Sequence, residues 1–144
     1  MPIVSDIADA VVAAINAAPS GTFILGFQAV RDYLPTYELK DMGTLHVTVV
    51  PKASDMSVPT RGVRQRDVKI DVAVQQRLQT VDTFSVDPLA NLVEQIADYL
   101  GGLGRVGNAG FVGAENNPLW IQEHLDSMKQ FTGVVTITLR IQTR

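Results

Sequence analysis

With 144 residues, 46% of them apolar and 19% charged, the chain has the size and composition of one globular domain, which excludes a disordered or low-complexity polymer. It contains no cysteine, which removes disulfide frameworks, thiolate nucleophiles and cysteine-based metal sites, and it has no apolar run near the roughly 18 residues of a membrane span. A net charge of -3 and a pI near 5.2 argue against general nucleic-acid binding, which needs a concentrated basic surface.

The opening stretch MPIVSDIADAVVAAINAAPSG has small apolar residues like those of a signal peptide. It lacks a basic leading region, however, and places Asp6 and Asp9 inside the apolar run, so a helix of a soluble protein is expected. Ser5 or Asp6 caps this helix, Ile7, Val11 and Ile15 give it one apolar face to Ala18, and Pro19-Ser20-Gly21 stops it. Phe23, Leu25 and Phe27 alternate, which predicts a short strand over Thr22 to Gln28, although QAVRDYL is also compatible with a helical start. Asp32 to Met42, with Pro35 and mixed charge, reads as an extended connection into a strand over Thr44 to Val50.

Two clean alternations follow. Leu45, Val47 and Val49 face a core in GTLHVTVVP, and Val68, Ile70, Val72 and Val74 do so in DVKIDVAV, so the two strands are expected to pair as a long antiparallel hairpin. The segment between them carries Pro51, Pro59 and Gly62 and reads as an irregular basic loop. From Lys52 through Arg77 there are six basic and three acidic residues, against six basic and twelve acidic in the rest of the chain. Lys52, Arg61, Arg64 and Arg66 are therefore candidate docking residues. Their simplest role is a solvated tip that resists edge-to-edge aggregation; their functional role is to hold a carboxylate or phosphate surface, which the arginine fork grips bidentately.

Asp87-Pro88 predicts a helix start, with Leu89, Leu92, Val93, Ile96 and Leu100 on one face and Gly101-Gly102 as the stop. Residues 101–117 read as a glycine- and asparagine-rich loop with a short strand around Ala109 to Val112. Asn117-Pro118 is expected to open a short helical turn through His124 or Met128. The last strand spans Gly133 to Gln142, with Val135, Ile137, Leu139 and Ile141 facing inward. The expected fold is a single α+β domain over 1–144 with two layers. Its sheet would be mainly antiparallel with about four strands, two principal helices on one face and a long basic hairpin loop. The other face, with His46, Thr48, Lys69, Asp71, Thr136, Thr138 and Arg140, is either solvent surface or an oligomer contact.

Catalytic, cofactor and metal sites are not expected. GLGRVG at 102–107 has the spacing of a dinucleotide fingerprint but follows a helix instead of a strand, so it reads as helix termination and loop. His124 neighbours Glu123 and Asp126, yet these point in different directions on a helix and lack the i, i+4 spacing of zinc-binding helices. An enzyme built on Glu115, His124 or Asp126 would lack a convergent acid, base and nucleophile. Trp120 is expected to pack against the sheet or to anchor a subunit contact.

The order of elements resembles the tail terminator and tail-completion (neck) proteins of long-tailed bacteriophages. YLPTYELKDMGTLHVTVVPK at 33–52, RDVKIDVAVQQRL at 66–78 and QFTGVVTITLRI at 130–141 carry this resemblance, which covers most of the chain. It implies a structural protein of the virion tail or neck, assembled in the host cytoplasm, without enzymatic activity or cofactor. It further implies a homohexameric ring that caps the tail tube and joins it to the head connector. Its partners would be copies of itself, the tail tube protein and a connector or stopper protein, with DNA passing through the channel without specific binding and no membrane involved. The 52–66 hairpin would then grip a neighbouring subunit or the last tube ring. A head-completion or stopper protein is the sibling alternative, and a small nucleic-acid-binding α+β module using the same hairpin is the alternative from another class.

Overall fold

The computed structural model describes residues 3–23, 25–32, 44–116 and 119–143. Ile7, Val11 and Ile15 recur every fourth position, and helix α1 (Ile3–Asn16) buries them together with Ala8. The helix stops before the expected Ala18 because Asn16 turns its amide onto the next element. Its Nδ2 donates to the Ala29 carbonyl at 3.0 Å and its Oδ1 accepts the Ala29 N–H at 2.8 Å. This docks strand β1 (Ala29–Arg31), which an Arg31–Asp9 ion pair of 2.6 Å also ties to α1. The strand expected at 22–28 is absent from the described residues there. Phe23 and Phe27 instead pack on each other at 5.2 Å, and Phe23 meets Tyr99 edge-on at 5.5 Å, so their apolar character serves packing and not a ladder. The connection predicted from Asp32 to Met42 lies, past Asp32, outside the described residues, as does the Asn117-Pro118 helix start.

Strands β2 (His46–Thr60) and β3 (Val63–Arg77) form the expected antiparallel hairpin, but the basic segment between them is not a loop. Both strands continue through it, with register shifts after Pro51 and Ser57, until Arg61-Gly62 makes the turn. Gly62 sits at φ 84°, a backbone state that glycine enters without steric cost. The outer half of β2 is exposed on both faces, so no alternation marks it in the sequence. Its prolines occupy an edge strand with bulges, where a missing N–H is tolerated.

Helix α2 (Thr83–Leu103) begins five residues before the expected start. Asp82 caps it, accepting the Ser85 N–H at 2.9 Å, and Pro88 lies inside the helix. The helix runs through Gly101 and Gly102 and ends at Gly104, φ 73°. Strand β4 (Arg105–Val106) turns back into β5 (Ala109–Glu115), then α3 (Gln122–Met128) leads to β6 (Gln130–Thr143). The sheet order is β1-β2-β3-β6-β5-β4, with β1 parallel to β2 and every other pair antiparallel.

The expectation of about four antiparallel strands, two helices and a basic loop is therefore corrected, among the described residues, to a mixed six-stranded sheet, curled into a half-barrel, with three helices. The two extra edge strands are two and three residues long, too short to show a period. α1 and α2 cover one face, over Val47, Val49, Val68, Ile70, Val72, Val135, Ile137 and Leu139. α3 reaches the opposite face, where His124 Nδ1 lies 2.9 Å from Thr132 Oγ1.

Candidate functional site

The strand period assigns each candidate basic residue to a face. On β3, Arg64 and Arg66 continue the row of Val68, Ile70 and Val72, so they occupy the core-side face where it runs out beyond the helices. Arg66 is half-buried against its cross-strand neighbours, with Nη1 3.4 Å from Ser54 Oγ and Nη2 3.9 Å from Met56 Sδ. Arg64 is exposed, and Arg61 is exposed in the turn. Lys52 sits at the first register shift and points to the opposite face, where its Nζ lies 3.8 Å from Asp71 Oδ1. The structure thus brings Arg61, Arg64 and Arg66 toward one end of the hairpin and sets Lys52 apart from them.

The polar face of the same slab neutralises itself. Arg140 on β6 donates to both oxygens of Asp67, Nε at 2.8 Å and Nη2 at 3.1 Å. Hydrogen bonding to Arg140 holds the Asp67 carboxyl below its usual 3.8, and the same bond raises the guanidinium pKa. Thr136 donates to Asp71 at 2.6 Å, and Gln142 to Gln65 at 3.0 Å. Of the residues expected to line this face, Thr48 is fully buried, so the face is not uniformly solvent surface. Asp67 and Asp71 hold Arg140 and Lys52 on this polar face, whereas on the core-side face Arg64 and Arg66 make no ion pair among the described residues. β6 pairs with β3 as far out as Arg64, so these arginines project from a hydrogen-bonded strand and not from a loop.

The histidines, the glycine-rich string and Trp120 do not converge on one place. His46 Nε2 is 3.3 Å from Thr44 Oγ1, and His124 contacts Thr132. Among the described residues, no three His, Asp or Glu side chains gather as metal ligands. GLGRVG closes α2 and shapes the β4–β5 hairpin, where Arg105 Nη2 donates to the Asn108 carbonyl at 3.1 Å. Trp120 packs on Phe131, ring centroids 6.2 Å apart.

One surface was missed from the sequence. Starting α2 at Thr83 gives it an outward stripe of Phe84, Asp87, Asn91, Glu94 and Asp98, and Phe84 is 90% exposed. The three helices together carry seven carboxylates and neither lysine nor arginine. Beside the stripe lies a groove of about 230 Å³, floored by Val93, Ala97, Ala114 and Val135 and rimmed by Glu94 and Asp98. The 87, 91, 94, 98 spacing is the sequence signal of this stripe, on the face of the helix opposite its apolar one.

No protein-family model matches the chain, and no curated protein matches it. Among solved structures, its fold is similar to a chain from the virion of a native gene transfer agent particle, with a TM-score of 0.61 and 12% sequence identity. The likeness covers 99% of this chain and 100% of that one, so the whole architecture is shared and not a single motif.

Proposed function

We propose that this chain is a non-catalytic structural protein of a phage-like particle, and more narrowly a tail terminator: a subunit of a closed ring that caps the tail tube and meets the head connector. The observation that carries the reading is the end-to-end fold likeness to a virion chain. The sequence resemblance to tail-completion proteins and the basic end of the β2–β3 hairpin support it. Ring closure requires heterologous contacts, in which one surface of each copy meets a different surface of the next. A rigid slab with a cationic end and acid-only helices suits that requirement. Arg61, Arg64 and Arg66 serve as docking residues, and Lys52, held by Asp71, helps to fix the bulge from which the arm extends. A stopper or head-completion role would use the same surfaces.

The test is the solution mass across a concentration series, by light scattering coupled to size exclusion, with negative-stain images in the presence and absence of purified tail tubes. Closed rings of about six copies, alone or seated on tube ends, are the expected result. A chain that stays monomeric and ignores tubes and connectors overturns the reading.

A further inference from the structure

The core-side face of the sheet does not end where the chain's own helices end. Past Val68 it continues into Arg66 and Arg64, with Met56, 61% exposed, opposite Arg66 on β2. Inside the molecule α1 and α2 cover this face, and no element pairs with the outer edge of β2 beyond Val49 among the described residues. What would extend the helix layer over the arm must match it: carboxylates for the arginines and an apolar recess for Met56.

The outer side of α2 has both. Glu94 and Asp98 are one helical turn apart, about 6 Å along the axis, and Arg64 and Arg66 are two strand residues apart, about 7 Å. Asp87 lies farther along the stripe, as Arg61 lies farther toward the tip. The groove behind Glu94 and Asp98 is floored by aliphatic side chains, giving Met56 a place beside the charge pairs. The two surfaces belong to different parts of the fold, so one copy can offer its arm while receiving another on its α2, which is the head-to-tail contact that builds rings.

We infer that the end of the β2–β3 arm of one copy docks on the outer face of α2 of the next, with Arg64 and Arg66 against Glu94 and Asp98 and Met56 over the adjoining groove. This rests on the self-assembling reading above and names the two halves of its subunit contact.

Two charge-reversed chains test it: Arg64→Glu with Arg66→Glu, and Glu94→Lys with Asp98→Lys. Circular dichroism establishes that each is folded, and Arg61→Glu with Arg64→Glu replaces the first if the half-buried Arg66 proves structural. Each variant alone should associate at least about tenfold more weakly than wild type, because like charges then face each other across the contact. Mixed one to one, they should recover assembly, since each reversed surface then meets an opposite one. Wild-type assembly by either variant alone, or a mixture that does not recover, overturns the contact while leaving the ring reading intact. A wild-type chain that neither self-associates nor binds tail tubes overturns the ring reading itself. An arm variant that assembles normally but loses retention of duplex DNA at low salt assigns the arm to nucleic acid and also overturns the contact.

Discussion

Gly133 stands on the helix side of β6, where a Cβ would come within 2.9 Å of the Phe131 ring and 3.0 Å of Val93 Cγ2. Gly133→Ala is expected to destabilise the fold by about 1–3 kcal/mol through overpacking, measured by urea denaturation. Seven residues farther along the β3–β6 ladder, Asp67 is an electrostatic case. Its carboxyl titrates lower in the fold than in the unfolded chain because Arg140 hydrogen bonds to the ionised form. The contact therefore contributes stability above the unfolded value and loses it as pH falls through the folded one, below about pH 4. Asp67→Asn should be less stable than wild type near neutrality, with the difference shrinking as the pH drops; urea midpoints at several pH values check this. Neither effect was legible in the sequence. Gly133 read as an ordinary strand start, and Asp67 and Arg140 are 73 positions apart until β3 and β6 pair.

At the level of elements, β6 is the strand with most to lose. It pairs along its length with β3 and also with β5, so it closes the middle of the sheet although it lies late in the sequence. Deleting residues 137–144 should abolish cooperative unfolding, seen as loss of a thermal transition by circular dichroism, because Val68 and Ile70 lose their β6 partners Leu139 and Ile137. The alternations that predicted β3, β6 and the inner half of β2 were reliable because one face of each is buried, and burial is what writes period two into a sequence. The same cause explains the failures. Outer β2 has no buried face, and β1 and β4 are too short to show a period. Asp87-Pro88 imitated a helix start while Asp82, with Thr80 donating to its carboxylate at 3.1 Å, supplied the actual cap.

The molecule as a whole separates its charge. Its helices are acidic and its hairpin end is basic, so copies attract when arranged head to tail and repel when like surfaces meet. Self-association should accordingly weaken as salt rises from about 0.05 to 0.5 M, since the Debye length falls well below about 10 Å over that range. Sedimentation velocity in a salt series checks this, and salt-independent assembly would point to an apolar contact such as the exposed Phe84. From the sequence alone came the mixture of helices and sheet, the hairpin pairing, the apolar faces of α1 and α2, and the basic local excess, because composition and period are properties of neighbouring residues. Only the tertiary structure decided which face of the hairpin carries Arg64 and Arg66, which side of α2 carries Glu94 and Asp98, and how the strands share one sheet. Those are relations between residues tens of positions apart, and side-chain orientation across a sheet exists only once register is set.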